Sequence, residues 1–191
     1  MIITIARQCG CGAVHVGELL AQHYGIPFYT RQDLMDMAEE KGILKDLDDF
    51  FDERPVDNLM FAISSDYEAT NNRVNEKPLR LLADMIGDKD CIIIGRCGNH
   101  IFRHRNDLVS VFLKGNLETR IQNIQHEENL SHVAAEEFVS NADDCRVVYH
   151  KYYTGLTWGN ASDYDLCIDS CRLDASQTAE LIQSYIAHLS K

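Results

Sequence analysis

The residues best placed to do chemistry stand at the start of the chain. Arg7, Gly10, Cys11, Gly12, Ala13, Val14 and His15 follow an apolar, β-branched run at 2–5. They lead into a stretch in which Val16, Leu19, Leu20 and Tyr24 share one helical face, closed by Gly25. That order reads as strand, glycine turn, helix. Glycines at 10 and 12 let the backbone turn tightly, and the helix N-terminus beyond them offers N–H groups and the positive end of a dipole. Such a turn is a site for an anion, most often phosphate. The plainer alternative is a strand–helix turn kept small for packing. The phosphate-loop pattern G-x-x-x-x-G-K-[ST] is not met. With Gly12 as its last glycine, Arg7 falls on the first and Ala13 on the lysine, and neither Val14 nor His15 supplies the hydroxyl for Mg²⁺.

Other chemistry lies further along. Gly95-Arg96 follows the apolar run at 91–94, so an arginine sits at the C-terminal end of a second buried strand. Arg31 follows Thr30, which reads as a helix N-cap with Asp33 in the capping-box position. Asp143 and Arg146 are three apart on a long predicted helix, a spacing that also suits a simple surface ion pair. Cys9, Cys11 and His15 lack a second ligand pair at zinc spacing, and no metal site is assigned to them. Cys11 stands at a helix N-terminus, where a thiol can be activated. The acidic stretch 46–57, with Phe50 and Phe51 embedded, reads as a solvated connector with two apolar anchors.

The elements that must position these residues follow from the apolar pattern. Strands are predicted at 2–5, 91–94, 108–113 and 166–168, with a short extended segment at 26–29. Helices are predicted at 13–24, 31–41, 59–64, from Pro78 to 86, at 100–105, at 117–125 behind an Asn116 cap, at 132–153 behind Ser131, and from Asp174 onward with Leu181, Ile182, Tyr185 and Leu189 inward. This alternation predicts an α/β protein, a three-layer α/β/α sandwich around a mostly parallel sheet. Ligands in such sheets bind beyond the carboxyl ends of the strands, where Gly10-Gly12 and Gly95-Arg96 would open on the same side.

At 191 residues the chain is most simply one domain, 1–191. A net charge of -12 argues against a nucleic-acid polymer or a membrane surface as partner, so any basic site must be local. No apolar run approaches the roughly 20 residues that span a bilayer. With seven cysteines and the first strand directly after Met1, the reading is a cytoplasmic protein with reduced thiols, the five cysteines from Cys91 onward serving as core or near-core residues.

Three stretches together resemble the cytidylate kinase-like family within the P-loop nucleoside monophosphate kinases. They are Ile5-Ala6-Arg7-Gln8-Cys9-Gly10-Cys11-Gly12 with Tyr24-Gly25-Ile26-Pro27-Phe28-Tyr29; Ile92-Ile93-Ile94-Gly95-Arg96-Cys97; and Asp143-Asp144-Cys145-Arg146-Val147-Val148-Tyr149-His150-Lys151-Tyr152-Tyr153-Thr154-Gly155 with Trp158-Gly159 and Tyr164-Asp165. The resemblance implies a P-loop fold with a helical lid at about 116–160 and an acceptor-binding region at about 30–80. It implies ATP and Mg²⁺ as cofactors, small-molecule nucleotides as partners, and transfer of the ATP γ-phosphoryl group to CMP or dCMP by a monomer or homodimer. On that resemblance Arg7 and residues 10–15 hold the ATP phosphates, Arg31, Asp33 and Arg96 bind the acceptor, and Arg120, Asp143 and Arg146 act in catalysis. The departures are Ala13-Val14 in the turn and Thr30 where the family has an aspartate. They leave open a nucleotide-binding protein with little turnover, or a kinase for another small acceptor.

Overall fold

The computed structural model describes residues 1–52 and 76–189. Five strands, β1 (Ile2–Arg7), β2 (Phe28–Tyr29), β3 (Cys91–Ile94), β4 (Leu108–Lys114) and β5 (Leu166–Asp169), form one sheet in the order β2-β3-β1-β4-β5. Every pairing is parallel, with Ile5 opposite Ile94 on one side of β1 and Val111 on the other. All strands therefore end on the same edge, and the turns after β1, β3, β4 and β5 meet there.

The apolar runs explain why β1 and β3 lie in the middle. Their side chains are buried on both faces, as a parallel sheet covered by helices requires. One face packs Ile2 and Ile93 against α2 (Arg31–Glu40), α3 (Leu44–Asp52) and α4 (Glu76–Ile86). The other packs Ile3, Ile5, Ile92 and Val111 against α1 (Ala13–Tyr24) and α8 (Ala175–Leu189). The short α5 (Gly98–Ile101) follows β3, while α6 (Leu117–Glu128) and α7 (His132–Thr154) form a third cluster with Cys9 through Ile121, Ile124, Ala135 and Val139. Among the described residues, no helix is long and apolar enough to cross a membrane.

The structure corrects the sequence reading in four places. Residues 44–52 are a helix rather than a connector, and Leu47, Phe50 and Phe51 are fully buried, an i, i+3, i+4 stripe that the surrounding aspartates conceal. Residues 53–57 and the expected helix at 59–64 lie outside the described residues. The helix after β3 starts at Gly98, not 100, because Arg96 and Cys97 both take left-handed conformations and turn the chain early. In α8 the buried stripe is Thr178, Ala179, Ile182 and Ile186, which rotates Leu181 and Leu189 outward to half exposure. Cys167 is exposed rather than in the core, whereas Cys91 and Cys97 are buried.

Candidate active site

The turn between β1 and α1 is left-handed at both glycines, φ 79° at Gly10 and 64° at Gly12. Gly12 is the N-cap of α1, and no side chain among the described residues caps it, so the first-turn N–H groups face the cleft. At Gly10 a Cβ would lie 2.5 Å from the Arg120 carbonyl oxygen, so the turn abuts the backbone of α6. The cleft above it has a volume of about 340 Å³ and is lined by the whole of 7–15 together with Glu18, Ile124, Glu127 and Arg146.

The turn is held from the other end of the chain. Cys9 N–H donates to Asp143 Oδ1 at 2.8 Å. Arg120 donates through Nη1 to Asp143 Oδ2 at 2.7 Å and to the Cys9 carbonyl at 3.2 Å, and through Nε to the Gly115 carbonyl. Arg146 Nη1 approaches Asp143 Oδ1 at 3.3 Å. One carboxylate thus ties two guanidinium groups and a turn amide together, in an environment where Arg120 is only 6% exposed. Asn123, one helical turn beyond Arg120, donates to the Gly10 carbonyl at 2.8 Å, and Gln8 accepts from Gly115 N–H at 3.0 Å. Sequence reasoning passed over Gln8 and Asn123. The signal for Asn123 was its spacing of three from Arg120 on the same face.

A second, inner pocket lies beside the cleft, bounded by Thr4, Arg7, Gly95, Arg96, Asn99, Arg146, Tyr149, His150 and Trp158, with about 20 Å³ of free space. Arg7 and Arg146 line both spaces. Arg7 lies directly over Gly95, where a Cβ would come within 2.4 Å of its Nη1. Arg146 Nε is buried and has no hydrogen-bond partner among the described residues. Arg96, 4% exposed, donates to the Phe50 carbonyl at 3.0 Å and stacks over Tyr149, whose hydroxyl donates to the same carbonyl. Arg31 Nε donates to the Phe51 carbonyl at 2.6 Å. The two arginines expected to face an acceptor thus converge on the last turn of α3. Asp33 sits in the capping box, accepting from Thr30 N–H and Oγ1.

Burial dominates the titration of the turn's thiols. It pushes Cys9 up, and it pushes Cys11 up to about 12, opposite in direction to the lowering a helix N-terminus can give a thiol. The turn fits a polyphosphate: backbone N–H groups at a helix N-terminus with the guanidinium groups of Arg7 and Arg146 nearby. For Mg²⁺ the protein offers less. His15 is exposed and turned to Glu18, and no group of three potential metal ligands occurs among the described residues. Glu18 and Glu127 are the carboxylates in the cleft. Mg²⁺ commonly rides on substrate phosphates, keeps several waters and needs one or two protein carboxylates, and that lean donor set is compatible with it.

A five-stranded parallel sheet with a glycine turn after its central strand, facing a helical pair that carries arginines, defines an α/β protein of the P-loop fold. The chain belongs to the cytidylate kinase-like family, whose model matches residues 2–172. It is similar to a cytidylate kinase of Methanococcus maripaludis (strain C5), 27% identical over 194 residues covering 99% of each chain. It is also similar to a shikimate kinase of Flavobacterium psychrophilum, 23% identical over 72% of this chain and 77% of that one. Among solved structures, an uncharacterized protein from Eubacterium ventriosum aligns at TM-score 0.75 with 26% identity over 98% of both chains. A gluconokinase from Sinorhizobium meliloti shares the fold at TM-score 0.58 and 12% identity, over 98% of this chain and 91% of that one.

Proposed function

We propose that this protein transfers the γ-phosphoryl group of ATP to a nucleoside monophosphate, with CMP or dCMP as the acceptor. One observation carries the reading: Arg7 and Arg146 belong both to the glycine-turn cleft and to the pocket that holds Arg96. Phosphoryl transfer needs donor and acceptor to meet in line with positive charge at the meeting point. Two arginines shared by two adjoining spaces supply that. The N–H groups of 10–14 hold the donor phosphates, and His15 lies at the edge of that set. Arg7 supplies the fixed charge that Ala13 lacks. Arg96, with Arg31, takes the acceptor phosphate. Arg120 and Asp143 keep the turn and Arg146 in register. The names of the Methanococcus relatives favour CMP. ATP brings Mg²⁺ with it, and the metal supplies neutralisation of phosphate charge.

On this reading residues 1–191 are a single cytoplasmic domain, acting as a monomer or homodimer on small-molecule nucleotides. Residues 116–160 act as the lid and 30–80 as the acceptor region. A second reading, nucleotide binding with little turnover, is favoured by Ala13 and Val14, which place neither an ammonium nor a hydroxyl in the turn. A kinase for another small acceptor is favoured by the inner pocket, which as it stands has room for about one water.

The test is thermal unfolding with ATP–Mg²⁺, with CMP and with both, followed by an ADP-coupled turnover assay. A hundredfold excess of ligand over its dissociation constant adds about 2.7 kcal/mol. Separate shifts that grow when both ligands are present, with ADP formed only when both are present, support the kinase reading. A shift with ATP alone and no turnover with CMP, dCMP or UMP at high enzyme concentration overturns the acceptor assignment.

A further inference from the structure

Two buried polar side chains beside the inner pocket have no task in the phosphate-transfer reading. Thr4 sits in the middle of β1, opposite Ile93 of β3 and Ser110 of β4, and is 2% exposed. Its neighbours in the strand, Ile2, Ile3 and Ile5, are apolar, and valine would offer the same shape at position 4 without a hydroxyl. Its methyl lies against Gly98, where a Cβ would come within 2.8 Å of Cγ2. His150, on α7, is 3% exposed. Thr4 Oγ1 and His150 Nε2 are both buried, and neither has a hydrogen-bond partner among the described residues. Both residues line the inner pocket, and so does Arg146, whose buried Nε is likewise unpartnered. Buried polar atoms in folded proteins are nearly always paired, so three such atoms on the residues around one small space point to an occupant.

We propose that the inner pocket is a binding site for one small monoatomic anion, a chloride ion. Size limits the occupant: about 20 Å³ takes a single atom near the size of a water molecule, not a polyatomic ion. Hydrogen bonding selects an acceptor. Arg146 Nε–H and the Thr4 hydroxyl donate, and His150 donates from Nε2 in its N–H tautomer. A halide accepts from all three and has no hydrogen of its own to place, whereas a water brings two that need acceptors. Charge points the same way. Arg7, Arg96 and Arg146 line the pocket and, among the described residues, no aspartate or glutamate does. Asp143, which pairs with Arg146, also serves Arg120. A negative ion among buried guanidinium groups is held more strongly than in water, because its surroundings screen it less. On the phosphate-transfer reading, an incoming acceptor phosphate meets the same guanidinium groups and displaces the ion.

The test needs no nucleotide, so its outcome is separate from whether the protein turns over CMP. Crystals grown without halide are soaked in sodium bromide and measured at the bromine absorption edge. An anomalous peak in the inner pocket, in contact with Thr4, Arg146 and His150, supports the proposal. No anomalous peak there, whether a water or nothing fills the space, overturns it, as does bromide found only at the glycine turn or on the surface. In solution, thermal unfolding is followed as sodium gluconate, whose anion is too large for the pocket, is replaced by sodium chloride at constant ionic strength. The expected result is a saturable rise in melting temperature. Thr4→Val should weaken the chloride midpoint by about tenfold or more, the scale of one hydrogen bond to an ion. Equal melting temperatures in the two salts, or a chloride response unchanged in both Thr4→Val and His150→Phe, overturn the proposal.

Discussion

Asp143 and Cys9 are joined by a 2.8 Å hydrogen bond from the Cys9 amide to the Asp143 carboxylate, across 134 positions of chain. That same carboxylate holds Arg120 and Arg146. α7 is therefore fastened to the glycine turn, and Asp143 is the fastening point. Asp143→Ala leaves a buried guanidinium and a turn amide without their partner. We expect a loss of about 3 kcal/mol in urea unfolding, since breaking a buried pair from one side is costly. Asn123→Ala, which frees only the Gly10 carbonyl, should cost about 1 kcal/mol.

Arg7 and Gly95 form a second matched pair. Arg7→Ala should lower kcat by about a hundredfold or more, the scale for removing one transition-state donor. Arg7→Lys should recover part of the loss. Gly95→Ala pushes the Arg7 guanidinium aside and should reproduce most of the Arg7→Ala defect, with about 1 kcal/mol of backbone strain added at φ 70°. Kinetics near wild type in Arg7→Ala would remove Arg7 from the chemistry.

Tyr149→Phe deletes one hydroxyl that donates to the Phe50 carbonyl, while Arg96 keeps donating to the same oxygen. The cost should stay near 1 kcal/mol in chemical unfolding. Phe50→Ala, which empties a core position packed by Tyr149 and Tyr153, should cost about 3–5 kcal/mol.

His150 gives a pH signature. Burial, and then the neighbouring His100, push it down to about 4, with Asp163 opposing. The unfolded imidazole takes its proton near the ordinary value of about 6.5. Between those values the unfolded chain binds more protons, so stability falls as pH drops from about 6.5 toward 4. The loss attributable to His150 is on the order of 3 kcal/mol. His150→Gln should flatten that part of the pH–stability curve; an unchanged slope would show that the histidine does not set it.

How much of this was written in the sequence depends on the kind of contact. The strands were legible because runs such as Cys91–Ile94 are apolar on both faces, and the caps at Thr30, Asn116 and Ser131 because they bond within a few residues. The sheet's common edge followed from the expectation of a single parallel sheet, in which all strand ends lie on one side. The α3 helix was hidden by its charge, since aspartates outnumber the buried positions that define its face. The grip of Arg31 and Arg96 on α3 could not be read at all, because it is made to backbone carbonyls, which carry no residue-type signal. Arg120 was singled out for its charge, yet the side chain lies inward, bonded to Cys9, Gly115 and Asp143.

The anchors of the glycine turn set an order of assembly. Residues 9–11 are synthesised before the partners that hold them, Arg120, Asn123, Asp143 and Ser170, which lie as many as 159 positions later. Domains generally fold as units, and contacts between distant positions form only after the chain between them has been ordered. The glycine turn, synthesised early relative to its anchors, is thus late to acquire its shape, and a nascent chain not yet extended to Ser170 carries the turn's sequence without one of the groups that hold it.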